Sequence, residues 1–450
     1  MRHRIFTLQA DESGSVEFQA PLPEWAGKRL QVVLLPEEEG GSSAPRDARQ
    51  AETADIPYGS QSIDPNDVLS VVDTLLSDRI TQGPLVPRFE QEIADRTGAH
   101  YAVAANSGTS SLHLACRALG LGAGDTLWTS PNTFAASANC GLSCGAEVDF
   151  VDIDPATFNL CPRTLARKLE HTRQSGGQLP KVVVAVHFAG LPCEMESIHA
   201  LSREYGFRII EDAAHALGGA YQGEPVGSCR YSDFAVFSFH PVKAITTGEG
   251  GMAVTNDGDL AHRMRILRSH GITRDIQTKE RGAVRERYDH EAEAPWYYEQ
   301  IDLGHNYRMT EIQAALGLSQ LTRLEAFISR RQELADRYDE LLTDLPVKRQ
   351  SRPSERTSAR HLYVIRMDRN ETGISRSNAF QALREMGIGV NVHYIPVHWH
   401  PYYRSLGFEP GMFPQAEAYY REALTLPLYP DMTLKQQDRV IRALKEALGA

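Results

Sequence analysis

Short apolar runs rich in β-branched residues alternate with helical patterns along most of this chain, from Ile56 onward. Runs of this kind are typical of buried strands, and their alternation with helices is typical of a largely parallel sheet. The predicted strands contain the runs YAVAAN, TLWTS, VDFVDI, KVVVAVHF, FRIIED and DFAVFSF. The pattern therefore predicts an α/β fold built on a mostly parallel sheet.

Composition and turn residues divide the 450-residue chain into four parts. Residues 1–38 hold two short alternating stretches around a turn, which predicts a small β-rich module. Residues 39–55 are rich in Gly, Ser, Ala, Pro and charged residues, and they are predicted to be a flexible linker. Residues 56–312 form the predicted large domain, and residues 313–450 form a smaller α+β domain.

The smaller domain is expected to open on a long helix. Leu318, Leu321, Leu324 and Ile328 follow Thr310 at three- and four-residue spacing, which predicts one continuous apolar helix face. Further on, the run HLYVIRM, a helical pattern over residues 377–386 and the aromatic run VHYIPVHWHPYY complete a mixed lobe.

Bulk composition argues against several classes of protein. The formal net charge is −11, with 58 acidic residues against 47 Lys and Arg, so a nucleic-acid-binding surface is not expected. The six cysteines form no CxxC pair, so we expect no metal site and reduced thiols. No long apolar run or secretory leader is present, which predicts a cytoplasmic protein without membrane contact.

A lysine lies on a glycine-rich turn in SDFAVFSFHPVKAITTGEGGMAVT. A strand ending at Ser238 leads to Lys243, and three glycines then return the chain to another strand. A lysine in such a place is most often a solvated surface charge, although desolvated lysines form Schiff bases. In FRIIEDAAHALGG, a second apolar strand ends at Asp212, where α/β folds bind ligands. Asp212 is suited either to pair with a protonated pyridine nitrogen or to cap a following helix.

Two further segments supply a phosphate site and a flat surface. In NSGTSSLHLA, small hydroxyl residues open a helix, and Ser107, Thr109 and Ser110 with the helix amides suit a phosphate ester, although an ordinary capped helix looks the same. In SPNTFAAS, Phe134 offers a face for a heteroaromatic ring or a core side chain. Together with Lys243 and Asp212, these segments predict a site for pyridoxal 5′-phosphate (PLP).

Several histidines and one arginine near these motifs have less certain roles. His215 lies close to Asp212 and is expected to contact substituents of the cofactor ring, whereas His240 is assigned only a supporting role. The cluster of His393, His398 and His400 is interpreted as part of a substrate-binding loop, because its spacing does not suit a metal. Arg308 is left outside the catalytic set.

The motifs together resemble the DegT/DnrJ/StrS family of PLP-dependent sugar aminotransferases, whose fold type I architecture is that of aspartate aminotransferase. The motifs that carry the resemblance are ITQGP, NSGTS, SPNTF, VDID, EDAAHALG, SFHPVK, TTGEGG, LRSHG and GHNYRMTEIQAALG. The resemblance implies that Lys243 forms the Schiff base, that Asp212 meets the pyridine nitrogen, and that the phosphate lies on Ser107, Gly108, Thr109 and Ser238. It also implies that Asn306 reaches the phosphate bound to a partner subunit, so that a homodimer shares its active sites.

Within that family, IPYGSQSI, LWTSPNTFAASANC and NVHYIPVHWHPYY resemble the 4-aminotransferases of pseudaminic acid biosynthesis. The resemblance implies transfer of the amino group of L-glutamate to the C4 ketone of a UDP-linked 4-keto-6-deoxy-N-acetylhexosamine, giving UDP-4-amino-4,6-dideoxy-N-acetyl-β-L-altrosamine. The residues it places against the substrate are Tyr58, Thr81, Gln82, His393 and Tyr394. Two alternatives stay open: transfer to another nucleotide-linked keto sugar, and a PLP-dependent sugar dehydratase. The resemblance implies that such dehydratases have histidine at the position of Lys243, so the lysine argues against the second alternative.

Overall fold

The computed structural model of the protein describes residues 55–274 and 296–449. The β-rich module predicted for residues 1–38 and nearly all of the predicted linker lie outside the described residues. The strands are β1 (Tyr101–Ala105), β2 (Thr126–Thr129), β3 (Glu147–Phe150), β4 (Val182–Val186), β5 (Arg208–Asp212), β6 (Ala220–Tyr221), β7 (Glu224–Pro225), β8 (Phe234–Ser238), β9 (Gly251–Thr255), β10 (Ile272–Thr273), β11 (Glu299–Gln300), β12 (Lys348–Arg349), β13 (Arg356–Thr357), β14 (Tyr363–Arg366) and β15 (Ala423–Leu426).

In the larger lobe, helices alternate with these strands. In the smaller lobe, helices pack against a small sheet. The helices are α1 (Pro65–Leu75), α2 (Leu85–Thr97), α3 (Gly108–Ala118), α4 (Ala136–Ser143), α5 (Pro162–Gln174), α6 (Met195–Tyr205), α7 (Gly258–Arg268), α8 (Glu311–Leu321), α9 (Leu324–Leu341), α10 (Arg369–Thr372), α11 (Arg376–Glu385), α12 (Pro401–Arg404), α13 (Pro414–Glu422) and α14 (Leu434–Leu448). In the described ranges, no helix is both long enough and apolar enough to cross a membrane.

A seven-stranded sheet forms the larger lobe, in the order β1-β9-β8-β5-β4-β2-β3. Strand β9 runs antiparallel to β1 and β8, and the remaining neighbouring pairs are parallel. The predicted mostly parallel α/β sheet of a fold type I PLP enzyme is therefore confirmed. Because the parallel strands point the same way, β1, β2, β5 and β8 end at one edge of the sheet, where α/β folds bind ligands.

Alternate residues of the central strands pack on opposite faces of the sheet. In β4, Val182 and Val184 join a core with α3, α4 and α7, whereas Val183 and Ala185 join a core with α5 and α6. Another core on the sheet gathers side chains from α2 and α8. With both faces covered, the run VVVAV is buried throughout, as expected for a central parallel strand.

The smaller lobe packs α9, α11 and α14 with the antiparallel sheet β12-β14-β15. Its core contains residues distant in sequence, including Leu334, Ile365, Leu424 and Val440. Ile56 also belongs to this core and forms an isolated parallel bridge with Ile388. The first described residues therefore pack on the smaller lobe, although the sequence placed residue 56 at the start of the large domain.

The long helix predicted from Thr310 is two helices, α8 and α9. Thr310 caps α8 in a reciprocal capping box with Gln313, and the helix stops before Arg323, which forms salt bridges with Asp64 and Asp67 at the start of α1. The predicted boundary between residues 312 and 313 falls inside α8. Because α8 packs on the larger lobe, we propose that the boundary lies within α9, where the buried side chains change from one core to the other.

Candidate active site

A cleft of about 490 Å³ opens at the edge of the sheet where β1, β2, β5 and β8 end. Most of the residues singled out from the sequence meet there. The predicted residues that line the cleft are Tyr58, Ser107, Gly108, Thr109, Phe134, Asp212, His215, Ser238, His240, Lys243, His393 and Tyr394. Thr81, Gln82 and Asn306 are exposed and do not line it, and neither does Arg308.

Lys243 lies on the turn that follows β8. Its backbone N–H donates to the carbonyl of His240 at 2.9 Å, and the loop closes where Thr247 N–H donates to the carbonyl of Phe239 at 3.0 Å. In the part of the chain that the structure describes, Nζ forms no ion pair or hydrogen bond. Burial lowers the pKa of the Lys243 amine to about 8, although the charge of Asp212 opposes this shift. A neutral amine facing the cleft is a nucleophile and a base.

Asp212 ends β5 as a buried carboxylate held by two donors. Ser137 Oγ donates to Oδ2 at 2.6 Å, and Ala214 N–H donates to Oδ1 at 3.2 Å. Thr133 Oγ1 lies 2.7 Å from Ser137 Oγ. The chain continues from Asp212 as a series of turns rather than a helix, so the helix-cap interpretation of Asp212 is wrong. The carboxylate retains further acceptor positions for a cationic ring nitrogen.

The start of α3 is closely packed at the end of β1, where the sequence predicts the phosphate site. Ser107 is the N-cap, and its Oγ accepts from Ser110 N–H at 3.1 Å. A Cβ on Gly108 would lie 3.0 Å from Ser238 Cβ, and a Cβ on Gly251 would lie 2.4 Å from the Ser107 backbone. The two glycines thus allow β8 and β9 to approach the helix start, whose amides and dipole favour a phosphate.

Ser110 does not contribute to this predicted phosphate site. Its Oγ donates to Asn106 Oδ1 at 2.7 Å, the residue is buried, and it does not line the cleft. The inclusion of Ser110 among the phosphate-binding hydroxyls was therefore wrong. About 3.6 residues complete a helical turn, so Ser110 points to nearly the opposite side of the helix from Gly108. Its hydroxyl bonds the Asn106 side chain instead.

Phe134 and His215 lie on the walls of the cleft. Phe134 keeps 63% of its side-chain surface exposed, which contradicts a core role and suits stacking on a flat ring. His215 Nδ1 accepts from Ala189 N–H at 3.3 Å, so the ring carries its proton on Nε2, which lies 3.2 Å from Tyr394 Oη. Burial lowers the pKa of His215 well below its usual range, and the imidazole is neutral.

The far wall carries the residues that the resemblance placed against the substrate. The rings of Tyr58 and His393 lie 5.5 Å apart, and those of His393 and Tyr394 lie 4.9 Å apart. His393 Nδ1 lies 2.9 Å from Thr425 Oγ1, and burial lowers the pKa of its imidazole to about 4. These side chains therefore present neutral polar groups to the cleft.

The cluster of three histidines does not form one binding loop. His393 lines the cleft, but His398 is fully buried with Nε2 3.0 Å from Glu417 Oε1, and His400 lies in a separate surface pocket beside Tyr402. A carboxylate thus accompanies His398 in the core. The side chains alternate between core and surface along this segment, which spacing alone does not reveal.

Three further residues of the site were not predicted. Ser137 lies in the quoted run SPNTFAAS, four residues after Thr133, and its position on the first turn of α4 was the available signal. His361 lines the cleft from the segment that leads into β14, and Asn391 lines it from the segment after α11, where it forms a bridge with Thr425 of β15. His361 opens the run HLYVIRM and Asn391 opens the run NVHYIPVHWHPYY, but neither run shows that these residues lie near Lys243, because that depends on how the lobes pack.

These residues fit PLP. The close approach permitted by Gly108 and Gly251 leaves helix amides for a phosphate, the Lys243 amine has no competing partner among the described residues, and Asp212 has spare acceptor capacity beside the exposed ring of Phe134. Lys243, Asp212 and the start of α3 would hold the cofactor by its aldehyde carbon, its ring nitrogen and its phosphate.

Comparison with known proteins agrees with this chemistry. The DegT/DnrJ/EryC1/StrS aminotransferase family matches residues 61–445. The spore coat polysaccharide biosynthesis protein SpsC of Bacillus subtilis (strain 168) is 39% identical over 394 residues, which cover 87% of this chain and 96% of that protein.

Solved structures share the fold over nearly the same range. PseC of Helicobacter pylori, an aminotransferase involved in the biosynthesis of pseudoaminic acid, is 29% identical with a TM-score of 0.78, covering 88% of this chain and 99% of that one. Spr1654 of Streptococcus pneumoniae, solved in a PLP form and a PMP form, is 29% identical with a TM-score of 0.76 in the PLP form, covering 88% of this chain and 99% of that one. The family resemblance found in the motifs is confirmed. The chain therefore belongs to the DegT/DnrJ/EryC1/StrS aminotransferase family, and it is a PLP-dependent sugar aminotransferase.

Proposed function

We propose that this enzyme transfers the amino group of L-glutamate to the C4 ketone of a UDP-linked 4-keto-6-deoxy-N-acetylhexosamine, as in pseudaminic acid biosynthesis. The product is UDP-4-amino-4,6-dideoxy-N-acetyl-β-L-altrosamine. The observation that carries the proposal is that the Lys243 amine and buried Asp212 lie in one cleft whose far wall is lined by Tyr58, His393 and Tyr394. The structural similarity to PseC supports the choice of sugar.

Bound PLP supplies an electron sink that weakens the bond between the amino-bearing carbon and its hydrogen. We assign the movement of that proton to Lys243 Nζ. Burial lowers the pKa of this amine to about 8, so part of the enzyme carries a neutral amine near neutral pH. Asp212 keeps a proton on the ring nitrogen by charge, and Ser137 keeps the Asp212 carboxylate in place. Phe134 and the start of α3 fix the ring and the phosphate.

The far wall suits a neutral sugar ring. Tyr58 and Tyr394 offer hydroxyl groups, and His393 offers a neutral imidazole to sugar hydroxyls and the N-acetyl group. Of the residues that line the cleft, Lys243 is the one cation among those the structure describes. A UDP diphosphate needs further cationic or polar partners, which supports a homodimer with shared active sites. In that homodimer, Asn306 of one subunit reaches the cofactor phosphate bound to its partner.

The substrate is tested with purified holoenzyme, L-glutamate and a panel of UDP-4-keto-6-deoxy-N-acetylhexosamines that differ in ring stereochemistry. We expect the L-altro product to form, with the new amine located at C4 by NMR. Turnover of a different keto sugar in its place would refute the specific substrate and leave the aminotransferase assignment intact. Loss of a hydroxyl group without gain of nitrogen would instead indicate a dehydratase, which the presence of Lys243 argues against.

A further inference from the structure

Two buried imidazoles pack against each other at the wall of the cleft. The ring centroids of His215 and His361 are 4.3 Å apart, and their planes are inclined by 41°. The side chains are 8% and 6% exposed, and both residues border the cleft. His215 follows β5 in the larger lobe, whereas His361 precedes β14 in the smaller lobe. The contact therefore brings a side chain of one lobe against a cofactor-site residue of the other.

The backbone of Ala189 holds both histidines. Its N–H donates to His215 Nδ1 at 3.3 Å, and its carbonyl accepts from His361 N–H at 3.1 Å. Ala189 has a φ of +59°, and a Cβ on the next residue, Gly190, would lie 3.1 Å from the backbone nitrogen of His361. The turn formed by Phe188–Gly190 thus fixes where the two rings meet.

His361 has little capacity to act as an acid or a base from this position. Burial lowers the pKa of its imidazole well below the usual range, and the nearby groups that lower it further are His215, Lys243, Arg331 and His393. Its Nδ1 has no hydrogen-bond partner among the described residues. What the ring offers to His215 is its flat face.

His215 needs such support because its own hydrogen bonds are long. The bond from Ala189 is 3.3 Å and the contact with Tyr394 Oη is 3.2 Å, so both are weak restraints on the orientation of the ring plane. Neither prevents the ring from tilting out of that plane. The His361 ring, whose centroid lies 4.3 Å from that of His215, restricts this tilt by direct contact.

We propose that His361 is a positioning residue of the aminotransferase, whose ring face holds the His215 ring in the orientation that borders the cofactor and meets Tyr394. The inference rests on the proposed function only in assigning His215 to the cofactor. It predicts that the property required at residue 361 is a flat ring rather than a titratable nitrogen.

The test compares His361→Phe, which keeps a flat face and removes both nitrogens, with His361→Leu, which keeps apolar bulk without a flat face. His398→Leu is the matched control, because His398 is also fully buried but pairs with Glu417 away from the cleft. The readouts are the visible circular dichroism of bound PLP, kcat and KM of the holoenzymes, and the melting temperature of each apoenzyme.

We expect His361→Leu to change the visible circular dichroism and to lower kcat about tenfold with little change in KM, since loosening a group beside the reacting atoms costs orientation. His361→Phe should restore both, and His398→Leu should lower the melting temperature without changing the visible spectrum. Should the leucine variant fail to fold, His361→Met provides the same comparison, because it also keeps apolar bulk without a ring or a nitrogen.

Two results would overturn the inference. One is a His361→Leu holoenzyme with the spectrum and kcat of the wild type. The other is a His361→Phe enzyme as impaired as the leucine variant, which would mean that a nitrogen of His361 is required. A wild-type protein that binds no PLP would instead refute the proposed function, and the spectrum of the wild type separates these failures.

Discussion

Lys243 is the residue whose chemistry depends most on its surroundings. Burial lowers the pKa of its amine to about 8 from an ordinary lysine value of 10.5. At pH 7 about one Lys243 side chain in ten is then neutral, and the neutral fraction rises as the pH passes through 8. We expect the rate at which PLP restores visible absorbance to the apoenzyme to rise with pH and to level off above about pH 9.

Stopped-flow absorbance across a pH series measures this rate, with a free lysine derivative as the control for intrinsic amine reactivity. A rate that keeps rising through pH 10 would show that Lys243 has an ordinary pKa.

Ser137 is a residue whose loss should weaken cofactor binding. Its hydroxyl donates to Asp212 Oδ2 at 2.6 Å inside the protein, and Ser137→Ala leaves that charged acceptor without its donor. Loss of such a bond costs about 1–3 kcal/mol, so the dissociation constant of PLP should rise about tenfold or more. Titration of the apoenzyme with PLP measures this constant. Ser143→Ala, at the exposed far end of α4, should leave it unchanged, and equal affinities in both variants would contradict the assigned role.

Among the secondary-structure elements, α2 depends on a side chain from α8. Both oxygens of buried Glu311 accept backbone N–H groups at the start of α2, from Leu85 at 2.6 Å and from Val86 at 3.2 Å. Glu311→Ala leaves both amides unpaired, which should cost about 2–4 kcal/mol of stability.

Urea denaturation of the apoenzyme measures this loss. Glu325→Ala is the control, because it removes an exposed carboxylate at the start of α9. It should change the free energy of unfolding by less than about 0.5 kcal/mol. Equal stability of the Glu311→Ala variant and the wild type would contradict the capping role.

The elements were predictable where local pattern decides them. The run VVVAV and the other apolar runs mark the sheet, and the capping box of Thr310 and Gln313 is visible in the sequence. The break between α8 and α9 was not predictable, because no Gly or Pro marks it. It coincides with salt bridges from Arg323 to Asp64 and Asp67, which lie more than 250 residues earlier. Contacts over such separations override local helix propensity.

For the whole molecule, a buried arginine joins segments of the smaller lobe. Arg331 Nη1 donates to the carbonyl of Leu428 at 2.9 Å and to that of His361 at 3.3 Å, and burial lowers the pKa of its guanidinium to about 10. Arg331→Met leaves both carbonyls unpaired. We expect faster hydrogen exchange in the segments around residues 361 and 428, together with a lower melting temperature.

Arg163→Met is the control for this prediction, because Arg163 is largely exposed. Unchanged exchange in both segments of the Arg331→Met variant would contradict the role given to Arg331.

The site was predictable to the extent that motifs follow consecutive strands of one sheet. Asp212 ends a strand, Ser107, Phe134 and Lys243 follow the ends of three others, and parallel topology brings those ends together. His361 and Asn391 come from the other lobe, and single-sequence patterns carry no information on how two lobes pack. Side-chain direction was equally hidden, and Ser110 was misplaced for that reason.

The most direct test of a PLP enzyme built on Lys243 is to reduce the holoenzyme with borohydride and locate the fixed cofactor by peptide mass spectrometry. Reduction makes the bond between the cofactor and its lysine permanent. We expect the adduct on the peptide that contains Lys243, and no adduct in Lys243→Ala. An adduct on another lysine, or none in a wild-type protein that has been supplied with PLP, would contradict the assignment of Lys243.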